Sequence, residues 1–180
     1  MNHGTTGSDA RRDEFAISLA NEQARYTVDE GQIVAAVRAV LEAARFRSAN
    51  VSVAVVDDPA IHELNRRYLD HDWPTDVLSF VLNEGDEHLE GEVILSADTA
   101  AAAAAEVGWP PAAELLLYAV HGTLHLVGYR DKTAIDVQAM RAAEAEILRQ
   151  FGYAEPIEAS RTSATVHGAV QCSPDRARAQ

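Results

Sequence analysis

Residues 110–128, PPAAELLLYAVHGTLHLVG, restrict the fold of this chain more than any other stretch. Two prolines open the stretch. A proline is tolerated in the first turn of a helix, where its missing N–H would have no intrahelical partner. Gly128 closes it, at a position where a left-handed residue ends a helix. Between these ends the residues are apolar nearly all the way round a helical wheel. A helix without a polar face has to be buried on every side, so this is the central helix and the rest of the chain must surround it. With 180 residues, nearly half of them apolar, the chain is long enough to do so as one domain.

The surrounding elements are legible from their periods. EFAISLAN (14–21) alternates apolar and polar residues and reads as a strand. VDEGQIVAAVRAVLEAARF (28–46) has helical spacing through Ile33, Val37, Val40, Leu41 and Ala44, with Asp29 as N-cap. NVSVAVVDD (50–58) is a β-branched strand, and Asp57 or Asp58 opens the next helix, PAIHELNRRYL. DVLSFVL and GEVILSA are two apolar runs joined by the acidic loop NEGDEHLE, as in an antiparallel pair. ADTAAAAAAEVG is a strong helix former ending at Gly108, and TAIDVQAMRAAEAEILRQFG is an amphipathic helix ending at Gly152. The order β-α-β-α-β-β-α-α-α predicts an α/β (α+β) domain over 14–157, a small mixed sheet packed by about five helices. Residues 1–13 and 158–180 are polar, lack apolar periodicity and read as disordered flanks.

Within the apolar helix stand His121 and His125, one turn apart, so their side chains leave the same face. This spacing lets two imidazoles grip one metal ion. Gly128 allows the chain to double back and bring Asp131, six residues past His125, to the same ion. Two His and one carboxylate leave a position open for water, as in a catalytic rather than a structural site. A lone His pair in a helix is more often a pair of core histidines bonded to backbone carbonyls; the glycine and the spaced aspartate favour the metal. The residue after the first His, where peptidases of the His-Glu-x-x-His type carry their general base, is Gly122, which weakens a peptidase reading. Glu114, two turns before His121, either orients a His ring or favours the helix start.

LNRRYLDHDWPTDVLSF, GEVILS and HGTLHLVGY, in that order and spacing, resemble the YbeY family, bacterial endoribonucleases of ribosomal RNA maturation. The resemblance covers about residues 14–155. It implies an α/β domain with one zinc ion per chain on the central helix, and cleavage of single-stranded RNA in 16S rRNA 3′-end maturation and ribosome quality control. It assigns His121 and His125 as metal ligands. The family's Gly-Tyr-Asp-His reads here Gly128-Tyr129-Arg130-Asp131. Either Asp131 replaces the third His, or the alignment slips by one and Lys132 takes that place. The family arginine that follows an aromatic residue is here Leu69, after Tyr68. Arg66, Arg67 and Arg130 are candidates to contact phosphate in its stead, although Arg66 and Arg67 are equally explained as a solvated helix face. Thr75, Asp76 and Ser79 fall near the expected cleft, with Ser79 as a hydrogen-bond donor and Asp76 as a brace of its loop. The implied partners are ribosomal RNA and the small ribosomal subunit, reached through a ribosomal protein or an assembly GTPase.

The formal charge of -13 argues against broad adhesion to nucleic acid, which needs many cations to displace counterions. It fits delivery to RNA by a partner better than electrostatic capture, and no DNA is expected as a partner. One cysteine, Cys172, excludes an internal disulfide or a multi-thiolate zinc site. Neither a signal peptide nor a membrane span is evident, so a cytoplasmic protein is expected. Two further readings stand beside the nuclease: a metallohydrolase of another substrate, and a non-catalytic ribosome-assembly factor that keeps the fold.

Overall fold

The computed structural model describes residues 14–44 and 46–153. The flanks 1–13 and 158–180, and residues 154–157 of the expected domain, lie outside the described residues. The elements are β1 (Glu14–Asn21), α1 (Glu30–Ala43), β2 (Ser48–Val56), α2 (Asp58–Leu69), β3 (Val77–Glu84), β4 (His88–Ser96), α3 (Ala97–Val107), α4 (Pro111–Leu126) and α5 (Ala134–Gln150). Their order is the predicted one.

The four strands form a mixed sheet in the order β1-β2-β4-β3. β1 runs parallel to β2 and β2 parallel to β4, while β3 returns antiparallel along β4 with a bulge between Val81 and Asn83. Alternate strand residues divide the core between the two faces. Val51, Val53, Val55, Val77, Val93 and Leu95 share one core cluster with residues of α1, α4 and α5 on one face. Leu78, Phe80 and Ile94 meet Ile61 of α2 on the other.

The helix boundaries follow from capping chemistry. Asp29 accepts from the Gln32 N–H and Asp57 from the Ala60 N–H, each satisfying a donor that the first turn leaves without a partner. Ser96 does the same for α3 at Thr99. The starts of α2 and α3 are also tied to each other. Asp98 accepts the Asp58 N–H at 3.1 Å, while Asp58 accepts the hydroxyls of Ser96 and Thr99. That N–H, and then the Arg25 guanidinium, hold the Asp98 carboxyl below the usual carboxylate range.

α4 lies hard against β3 and β4 because glycine occupies both sides of the contact. A Cβ on Gly122 would sit 2.7 Å from both Val77 Cγ2 and Val93 Cγ1, and one on Gly91 would sit 2.8 Å from Leu126 Cδ1. Every residue of α4 from Ala113 to Leu126 is buried. Among the described residues no helix is long and apolar enough to cross a membrane.

Candidate metal centre

The sheet-packed half of α4 carries the two histidines inward, and both are almost wholly buried. Their Nε2 atoms are 3.0 Å apart, with the rings nearly perpendicular. After Leu126 the chain must reverse at once. Gly128, at φ 97°, lets it do so in a conformation costly for any residue with a Cβ. The turn is closed by the Tyr129 N–H donating to the Leu124 carbonyl at 2.9 Å. It returns Asp131 to the helix face, with Oδ2 3.7 Å from His125 Nε2. One ligand atom from each of His121, His125 and Asp131 lies within 4.8 Å of the others, so the three could hold a metal ion together.

The other nitrogen of each ring is also engaged. His125 Nδ1 is 3.1 Å from the Tyr129 carbonyl, which can only accept, so Nδ1 carries the proton and Nε2 presents a lone pair. His121 Nδ1 is 2.6 Å from Oε1 of Glu144, a fully buried carboxylate on α5. It too donates, and in the neutral ring its Nε2 is a lone pair. Two lone pairs facing across 3.0 Å repel unless a cation lies between them. A proton is poorly accommodated there: burial first, and the neighbouring His121 second, push His125 down to about 4. The His125 imidazole is therefore in its metal-binding form at neutral pH.

The donor set fits a small divalent ion. Bonds of about 2.1 Å in a tetrahedron place ligand atoms roughly 3.4 Å apart, and the observed 3.0 and 3.7 Å lie on either side of that spacing. Two nitrogens and one oxygen leave a fourth position for water or substrate.

The family model described as "Endoribonuclease YbeY" matches residues 18–152. The chain belongs to the YbeY family. Proteins named "Endoribonuclease YbeY" are among its relatives. That of Rhodopirellula baltica is 43% identical over 117 residues, 64% of this chain and 60% of that protein. That of Moorella thermoacetica is 42% identical over 151 residues, 75% of this chain and 96% of that protein. That of Syntrophotalea carbinolica is 37% identical over 142 residues, again 75% of this chain and 95% of that one. The fold is shared with the solution structure of TM1509 from Thermotoga maritima, at a TM-score of 0.51 and 22% identity, covering 80% of this chain and 99% of that one.

Against this YbeY-family frame, the residues singled out from the sequence separate clearly. His121, His125 and Asp131 converge, whereas Lys132 is exposed and outside the group. Arg130 is exposed beside Asp131, and no hydrogen bond or ion pair holds its guanidinium among the described residues. Ser79 does not face a cleft. It is buried and donates its one hydroxyl proton to the Gly122 carbonyl at 3.0 Å, tying β3 to α4. Arg66 is not brought to the metal centre: α2 covers the opposite face of the sheet, and Arg66 pairs there with Glu63. Arg67 lies over the Tyr68 ring. Asp76 braces its loop, accepting from the Val77 N–H and the Thr75 hydroxyl. Glu114 is buried in the first turn of α4, and a second buried carboxylate, Glu144, meets the His121 ring. The sequence held a signal for Glu144: it stands four residues after Met140 and four before Leu148, on the apolar stripe of α5.

Proposed function

We propose that this chain is a zinc-dependent endoribonuclease that cleaves single-stranded RNA in the maturation of the 16S rRNA 3′ end and in ribosome quality control. The observation that carries the metal part is the pair of Nε2 lone pairs converging at 3.0 Å, each ring pinned from behind. The names of the relatives supply the substrate class. His121, His125 and Asp131 would hold the ion, whose chemistry there is to lower the pKa of a bound water to about 7 and to polarise a phosphoryl oxygen. Glu144 and the Tyr129 carbonyl fix the direction of the two imidazoles. Asp131 adds a negative charge that a third imidazole would not. Arg130, exposed one residue away, can steady a phosphate through paired hydrogen bonds. Either water or the RNA's own 2′-hydroxyl serves as nucleophile in this scheme.

The reading extends to a cytoplasmic setting, with the small ribosomal subunit as partner, reached through a ribosomal protein or an assembly GTPase. The charge of -13 supports it, because such a surface needs delivery to RNA. A peptidase is disfavoured because the position of its general base, Gly122, is packed against Val77 and Val93 with no room for a side chain.

The test is elemental analysis and RNA cleavage by purified protein, alone and as Asp131→Ala and His121→Ala. About one zinc per chain, lost or much reduced in Asp131→Ala, with cleavage abolished in His121→Ala, is the expected result. RNA binding without turnover would favour the assembly factor instead.

A further inference from the structure

The last turn of α2 and the loop from α2 to β3 carry two exposed aromatic rings. Trp73 is 44% exposed and Tyr68 43%. The Trp73 indole is stacked on the His71 imidazole, with centroids 4.9 Å apart and planes 12° from parallel. Beside them the Arg67 guanidinium lies over the Tyr68 ring at 5.5 Å. The stack is held from beneath by Asn65, a buried side chain whose Nδ2 donates to the Trp73 carbonyl at 2.8 Å. Asp70 ends α2 in a left-handed conformation, φ 63°, which turns the chain sharply into this loop. Flat π surfaces are therefore displayed on a braced segment.

We infer that the His71–Trp73 stack is a platform for an unpaired nucleobase of the RNA substrate. The inference rests on the RNA-directed reading above and adds to it a residue-level site for the base. Planar rings with an adjacent guanidinium suit a base, since every base has a π face. The surroundings suit it better than they suit an apolar protein partner, because charged and ion-paired groups interrupt the patch, among them Asp70 and the His62–Asp72 pair at 3.0 Å. The same carboxylates repel a phosphate landing on the stack, so the base and not the backbone is the part recognised.

Stacking is read from Trp73 emission in a Trp109→Phe background, the chain having two tryptophans. The probe is a cleavage-resistant oligoadenylate (2′-O-methyl, phosphorothioate), with an oligomer of the same length and charge but abasic as its control. The expected result is quenching by the base-bearing oligomer only, little changed by salt. In the Trp109→Phe background Trp73→Phe should keep most of the affinity, and Trp73→Ala should weaken it about tenfold, both read by fluorescence anisotropy of a labelled oligomer. Circular dichroism unchanged in both variants separates this loss from misfolding. Equal binding of the two oligomers, unchanged affinity in Trp73→Ala, or no effect on Trp73 emission, as for a patch that serves a protein, would overturn the inference. RNA cleavage is assayed separately on the same preparation. Stacking without cleavage removes the nuclease reading and leaves the platform, and cleavage without stacking does the reverse.

Discussion

The contact that does most to fit His121 for the proposed ion is its 2.6 Å hydrogen bond to Glu144, a carboxylate with no solvent exposure. A buried anion behind an imidazole fixes the tautomer and makes the far nitrogen more basic. Glu144→Gln keeps an acceptor of the same shape and removes the charge. It is expected to lower zinc affinity by about 10- to 100-fold, measured by competition with a chromophoric chelator, while the far-ultraviolet circular dichroism stays the same. Unchanged affinity would mean that the contact serves packing alone. The substitution is more informative than Glu144→Ala, which would also open a hole in the interface between α4 and α5.

At the scale of elements, the seating of α4 on the sheet depends on a hydrogen atom where other residues have a methyl group. Gly122→Ala puts a Cβ 2.7 Å from two valines that belong to the sheet core. Overpacking of this kind costs about 1–3 kcal/mol, and the displaced helix would carry His121 away from Asp131. Urea denaturation should show the first effect and a reduced zinc content the second; a variant with native stability and full metal would refute the argument. The helices were legible because several of their ends have a chemical mark: Asp29 and Asp57 at N-caps, and Gly108 and Gly152 in left-handed C-terminal positions. The two histidines and Asp131 were legible because their spacing is local, set by one helical turn and one glycine. What was not legible is what depends on which face of the sheet an element covers. Arg66 reads as close to the site in sequence, yet α2 packs on the far face. Ser79 reads as a donor toward a cleft, yet the strand alternation turns it into α4. Glu144 comes from another helix, and only the packing of α5 on α4 brings it to His121.

For the molecule as a whole, the buried His125 imidazole couples stability to pH. In the metal-free protein His125 titrates near 4, against an ordinary value of 6.5 in the unfolded chain. The unfolded state therefore takes up a proton first as the pH falls, and stability rises with pH in that range. The contribution is complete above about 6.5, declines below it, and is lost by about 4. Urea midpoints of chelator-treated protein at pH 7.5, 5.5 and 4.5 should fall accordingly, and the slope should flatten in His125→Gln. An equal slope in that variant would assign the loss to other groups.

The ligands on α4 are also part of the core, with the helix buried from Ala113 to Leu126. Ion binding and folding then draw on one free energy. An ion present at a hundred times its Kd would stabilise the chain by about 2.7 kcal/mol, a large share of what holds a domain of this size together. With zinc as the proposed ion, its cellular supply would thus set how long each copy of the protein survives proteolysis as well as how fast it works, and starvation for the ion would be felt first as a falling number of molecules.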